Sequence, residues 1–121
     1  QSVDSTSIQA APVTSSYRGS QLTAYAGVNY GPSGKETYYN LPMDGIVSIM
    51  GQYGYSAADY AVREDGVKTL GGYVMVAADL NQHPRGSLVE TSLGTGLVCD
   101  TGSFTTNGSG VSLDIATNWA G

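Results

Sequence analysis

The stretch YVMVAADLNQHPRGSLVETSLGTGLVCD, residues 73–100, decides the fold. It opens with Tyr73-Val74-Met75-Val76-Ala77-Ala78, an unbroken apolar run of the length of a strand buried on both faces. A Pro-Arg-Gly-Ser turn at 84–87 and several glycines separate it from two further runs, Ser87–Thr91 and Gly96–Cys99. Beyond them, Leu113-Asp114-Ile115-Ala116 supplies a fourth. Short β-rich runs broken by glycine loops predict a mainly β chain built as a small barrel. Upstream, the alternation of residues 21–26 predicts a first strand, and residues 27–43 (GVNYGPSGKETYYNLPM) a long loop. The segment 44–50 suits a short helix with Asp44 as N-cap, ended by Gly51 and Gly54, and Ser56 could cap another turn. Residues 1–19, rich in Ser, Thr and Ala without periodicity, are expected to form a flexible N-terminal segment ahead of one domain over 20–121.

The composition narrows the function. The 121 residues suit one domain. Ten acidic against five scattered basic residues leave a net charge of −5, which argues against a nucleic-acid partner. No run approaches the roughly 20 apolar residues needed to span a bilayer. A single cysteine (Cys99) and a single histidine (His83) exclude an internal disulfide and a Cys/His zinc site, so no metal or cofactor is expected. Cys99 reads as a small core residue and His83 as a surface turn residue. Many Gly, Ser, Thr, Tyr and Asn with few Lys suit a secreted protein, expected as a monomer with its targeting segment not present in this chain.

Three aspartates adjoin the apolar runs: Asp79, Asp100 and Asp114. Singly, each reads as a turn cap or an acceptor of backbone N–H groups. Together, three acids against the most apolar segments of a weakly charged chain suggest a shared use. Val98-Cys99-Asp100-Thr101-Gly102-Ser103 carries the loop pattern of aspartic proteases, but only 21 residues follow Asp100, too few for the rest of that fold.

The region from Tyr73 to Trp119 resembles the three-aspartate (3D) domain found in membrane-bound lytic transglycosylase A and in stationary-phase survival and resuscitation-factor-like cell-wall proteins. The matching pieces are Ala77-Ala78-Asp79, Pro84-Arg85-Gly86-Ser87, Asp100-Thr101-Gly102 and Leu113-Asp114-Ile115, with Thr23-Ala24-Tyr25 and the Gly66–Gly71 loop upstream. Ser87 replaces the family's Thr, the loop between Asp100 and Asp114 is longer, and the GKETYYNLPM insert has no counterpart. The resemblance implies a six-stranded double-psi β-barrel with one or two short helices in the insert. It further implies cleavage of the MurNAc–GlcNAc β-1,4 bond of peptidoglycan glycan strands or a related polysaccharide.

In that chemistry one carboxyl group acts first as acid and then as base. Asp114 matches the catalytic position; Asp100 would raise its pKa by repulsion, and Asp79 would orient the pair. Tyr25, Tyr39, Asn118 and Trp119 offer aromatic faces and an amide for sugar, while Thr101, Gly102 and Lys68 lie in matching motifs. Glu36 is either a solvated loop acid or a second carboxylate, with Glu90 as another candidate if the enzyme is a hydrolase. Two other readings use the same barrel: a non-catalytic carbohydrate or wall-binding module, and a secreted effector against a competitor's wall.

Overall fold

The structure, a computed structural model, describes residues 17–120. The chain is mainly β. The strands are β1 (Asn29–Gly31), β2 (Gly34–Tyr39), β3 (Tyr60–Val62), β4 (Lys68–Leu70), β5 (Tyr73–Ala77), β6 (Leu88–Thr91), β7 (Gly94–Asp100) and β8 (Leu113–Ala116). One α-helix, α1 (Asp44–Met50), follows β2. The expected N-terminal segment falls largely on residues 1–16, outside the described residues. Ser20 is tied to β1 by paired hydrogen bonds with the Asn29 amide, 2.7 and 2.8 Å.

β5 is the centre. It pairs in parallel with β7 along one edge; along the other it pairs antiparallel with β4 at Tyr73 and Val74, then with β8 at Val76 and Ala77. Such a strand has neighbours on every side, which is why its sequence is apolar throughout. A second parallel pair, β2 with β8, extends the sheet; the antiparallel hairpins β1–β2 and β6–β7 end two of its branches, and the antiparallel pair β3–β4 ends a third. The path β1-β2-β8-β5-β7-β6 thus reads the same from either end: hairpin, parallel pair, central antiparallel pair, parallel pair, hairpin.

Alternation along the strands divides the core in two. Val74, Val76, Val98, Leu113 and Ile115 face one way, with Leu22, Val67 and Val89. Met75, Leu97, Cys99 and Ala116 face the other and are covered by Met43, Val47 and Met50, in and beside α1. At roughly 1.5–3 kcal/mol per buried large apolar side chain, these two clusters dominate the favourable side of folding.

The sheet remains open, so a closed six-stranded barrel is not formed by backbone pairing. A side chain bridges the gap instead. Glu36 of β2 is wholly buried; its carboxylate accepts the Ser92 N–H (2.8 Å) and the Ser92 hydroxyl (2.6 Å) in the β6–β7 turn. Ser92 Oγ in turn accepts the Leu22 N–H at 3.0 Å. This corrects the expectation of Glu36 as a solvated or substrate-facing acid: both carboxylate oxygens are engaged inside the fold.

Three local expectations also change. Residues 21–26 are not a strand, because Thr23 folds the chain into a turn through its hydroxyl to Ala26 N–H and its carbonyl to Gly27 N–H. The long loop contains the β1–β2 hairpin, closed by Pro32-Ser33 and by Gly34 at φ 118°. The helix begins as expected but its N-cap is Met43, with no capping side chain. The turn at Ser56 does form, the Asp59 carboxylate accepting the Ser56 N–H at 2.9 Å.

Candidate active site

Asp114 and Asp100 flank one residue. In the sheet Ala77 of β5 is in register with Asp114 of β8 on one side and with Asp100 of β7 on the other. With strands about 4.8 Å apart, the two acids stand one strand removed from each other in a single row. Their shared orientation depends on an irregularity. Val76 pairs with Val98, but Ala77 pairs with Asp100, leaving Cys99 as an extra residue. By simple alternation Asp100 would point with Val98 into the first core cluster. The bulge re-aims it to the face of Cys99, Ala116 and Asp114.

The turn at Pro84–Ser87 braces that bulge. Arg85 Nε donates to the Cys99 carbonyl at 2.9 Å, and Gly86 N–H to that of Val98 at 2.8 Å. Gly86 has φ 92°, and a Cβ there would lie 2.7 Å from the Tyr53 ring, so the glycine is required twice over.

β2 completes the site. Thr37 is in register with Asp114, and its hydroxyl donates to Asp114 Oδ1 at 2.9 Å. Two residues on, the Tyr39 hydroxyl donates to Asp100 Oδ2 at 3.3 Å, while Asp100 Oδ1 accepts the Thr101 N–H at 2.8 Å. Burial pushes the Asp114 carboxyl above its ordinary range; the Thr37 hydrogen bond opposes this, and the charge of Asp100 adds to it. Burial, then the charges of Asp100 and Asp114, hold the Tyr39 phenol far above its usual value. Cys99 is pushed up to about 12 by burial, which leaves it a thiol and no nucleophile.

The other expected site residues disperse. The Asp79 carboxylate accepts the Asn81 N–H at 2.9 Å and serves the turn after β5; among the described residues it bonds to neither Asp100 nor Asp114. Lys68 is buried in β4, its ammonium held by Asn40 Oδ1 (3.0 Å) and the Leu41 carbonyl (2.7 Å), so it braces the exit from β2 and presents no free cation. Thr101 is exposed beside the acids, and Gly102 packs near the Phe104 ring. Tyr25 is fully exposed on the Thr23 turn. Trp119 stacks edge-on against Tyr38, centroids 5.0 Å apart, and its indole N–H donates to the Asp65 carbonyl. Tyr38 faces the first core cluster, away from the acid row, and the exposed Asn118 lies at the same edge as Trp119. Among the described residues no group of three or more His, Cys, Asp or Glu side chains could hold a metal ion.

Thr37 is the residue the sequence reading passed over. Its only signal is the Thr-x-Tyr spacing in GKETYY, which places two hydroxyls on one strand face. None of the family models, curated proteins or solved structures compared with the chain matches it.

Proposed function

We propose that the chain cleaves glycan strands by acid/base catalysis at Asp114, with the MurNAc–GlcNAc β-1,4 bond of peptidoglycan as target and lytic transglycosylation as the reaction. The observation that carries this reading is the Asp100–Ala77–Asp114 row, in which one acid is biased toward its protonated form beside a second that is better supplied with donors. Asp114 gives its proton to the leaving oxygen as the glycosidic bond breaks. It then takes the proton of the muramic C6 hydroxyl while that oxygen closes the anhydro ring. Asp100 keeps negative charge near the oxocarbenium-like centre and raises the proton affinity of Asp114.

Two-carboxylate hydrolysis has less support. Glu36 is consumed inside the fold, and Glu90 sits level with Thr95, five residues along β7 from Asp100, roughly 16 Å away. The nearly symmetric path with two parallel pairs, bridged by Glu36, favours a double-psi barrel as the underlying plan. A cell-wall or secreted setting follows from the substrate.

Digesting purified glycan strands and weighing the products tests the reading, since transglycosylation leaves anhydro ends one water lighter than hydrolysis does. A second reading, glycan binding without cleavage, is favoured by Tyr25, fully exposed and unrelated to the acids. Retention of the chain on glycan with no new ends would establish it.

A further inference from the structure

We propose that β2 divides one proton and one negative charge between the two acids, Thr37 fixing Asp114 so that its proton rides on Oδ2 and Tyr39 fixing Asp100 as the charged partner. The proposal rests on the reading of Asp114 as general acid and adds two positioning residues and the oxygen that delivers the proton. Thr37 and Tyr39 are two apart on one strand, so their hydroxyls leave the same face at about the spacing of two residues, 6.6 Å. Each meets a different acid: Thr37 reaches Asp114 Oδ1 at 2.9 Å, and Tyr39 reaches Asp100 Oδ2 at 3.3 Å.

The donor count then separates the acids. Asp100 receives two hydrogen bonds, from Tyr39 and from the Thr101 N–H. Asp114 receives one, and among the described residues Oδ2 has no protein donor. Donors favour the ionised form, so charge settles on Asp100. With Oδ1 occupied by the Thr37 hydrogen, the proton of Asp114 sits on Oδ2, the oxygen left for a ligand. Other ionisable groups at this face are Cys99 of β7, Arg85 of the adjacent turn, and Tyr55 and Tyr73 beside Cys99; Asp44 of α1 faces Tyr60 instead. None of them bonds to Asp114 among the described residues.

The two hydroxyls therefore act on Asp114 with opposite signs. Thr37→Val or Thr37→Ala removes a donor to its charged form, and the Asp114 midpoint should rise by about one pH unit. Tyr39→Phe weakens the hold on negative charge at Asp100, so the Asp114 midpoint should fall. Thr37→Ser keeps the hydroxyl and should return the midpoint to within a few tenths of the parent. The measurement is an NMR titration of the Asp114 carboxyl carbon in the whole chain, which needs no substrate. Substitutions that merely loosen packing would not move it in opposite directions. An unmoved midpoint in folded Thr37→Ala, or a shift in Thr37→Ser as large as in Thr37→Val, overturns the proposal; Thr37→Ala keeps the test open if the valine does not fit. If the midpoints move as stated but no glycan is cut, the cleavage reading fails and the proton assignment stands. If glycan is cut, the alkaline limb of kcat/KM should follow the titration upward in Thr37→Ala.

Discussion

Asp114 combines partial burial, one hydroxyl donor and a neighbouring charge, and each has a separable consequence. Asp114→Asn keeps the shape and an acceptor for Thr37 but cannot transfer a proton. Cleavage should drop by about 10²–10⁴-fold while glycan retention and the unfolding midpoint change little. Asp100→Asn removes the repulsion but leaves the burial. The alkaline limb of the pH–rate profile should thus move down, though not to that of a solvated carboxyl; an unchanged limb would show that the acids do not interact. These two acids were legible in the sequence because each ends or interrupts an apolar run. Their common orientation was not, since alternation sends Asp100 the wrong way and only the extra residue at Cys99 corrects it. Thr37 was hidden for a different reason: it lies in a segment whose glycines, proline and polar residues read as loop.

At the scale of elements, the apolar strands were readable and the polar ones were not. β5 and β8 lie where Tyr73–Ala78 and Leu113–Ala116 predict them, because burial on two faces demands apolar runs. β2 is a genuine strand whose inward position is Glu36, and a carboxylate in a core position defeats any hydrophobic pattern. That carboxylate has an energetic consequence. Glu36→Ala leaves the Ser92 N–H without its acceptor in a buried place, and an unmade buried hydrogen bond costs about 1–3 kcal/mol before any cavity is counted. Glu36→Gln retains one acceptor for the N–H, and the Ser92 hydroxyl can turn to accept from the amide. Urea unfolding should therefore show a loss of roughly 2–4 kcal/mol for the alanine variant and about 1 kcal/mol for the glutamine variant. Equal, near-zero losses would mean that Glu36 does not hold β2 to the β6–β7 turn.

For the molecule as a whole, the buried neutral acids set how stability responds to alkali. The Cys99 thiol rises from 9.0 to about 12 on folding, with burial the largest cause, and Tyr39 rises far above its ordinary 10.0 for the same first reason. Between these limits the folded chain keeps protons that the unfolded chain releases. More protons on the native state means that the free energy of unfolding falls as pH rises, by about 1.4 kcal/mol per pH unit for each such group. For Cys99 the contribution is whole below pH 9 and is lost on passing to pH 12, on the order of 4 kcal/mol. Tyr39 adds a second slope above pH 10. At the acid end two groups oppose each other. Asp114, raised by burial, stabilises the fold at low pH and loses that contribution as pH climbs through its folded value. Asp65 is also raised by burial, but hydrogen bonds from Arg63 and the Val67 N–H outweigh it, so its contribution is present above 3.8 and lost on acidification. On the alkaline side Tyr55 and Tyr60, also raised by burial, add to the fall, while Lys68, lowered by burial, opposes it below its ordinary 10.5. Urea midpoints measured from pH 8 to 11 should fall in the parent, and Cys99→Ala should start lower because of the lost packing yet fall less steeply. Parallel curves for parent and variant would show that Cys99 ionises as readily in the folded chain as in the unfolded one, and the thiol would then be accessible beside Asp100 rather than sealed beneath the bulge.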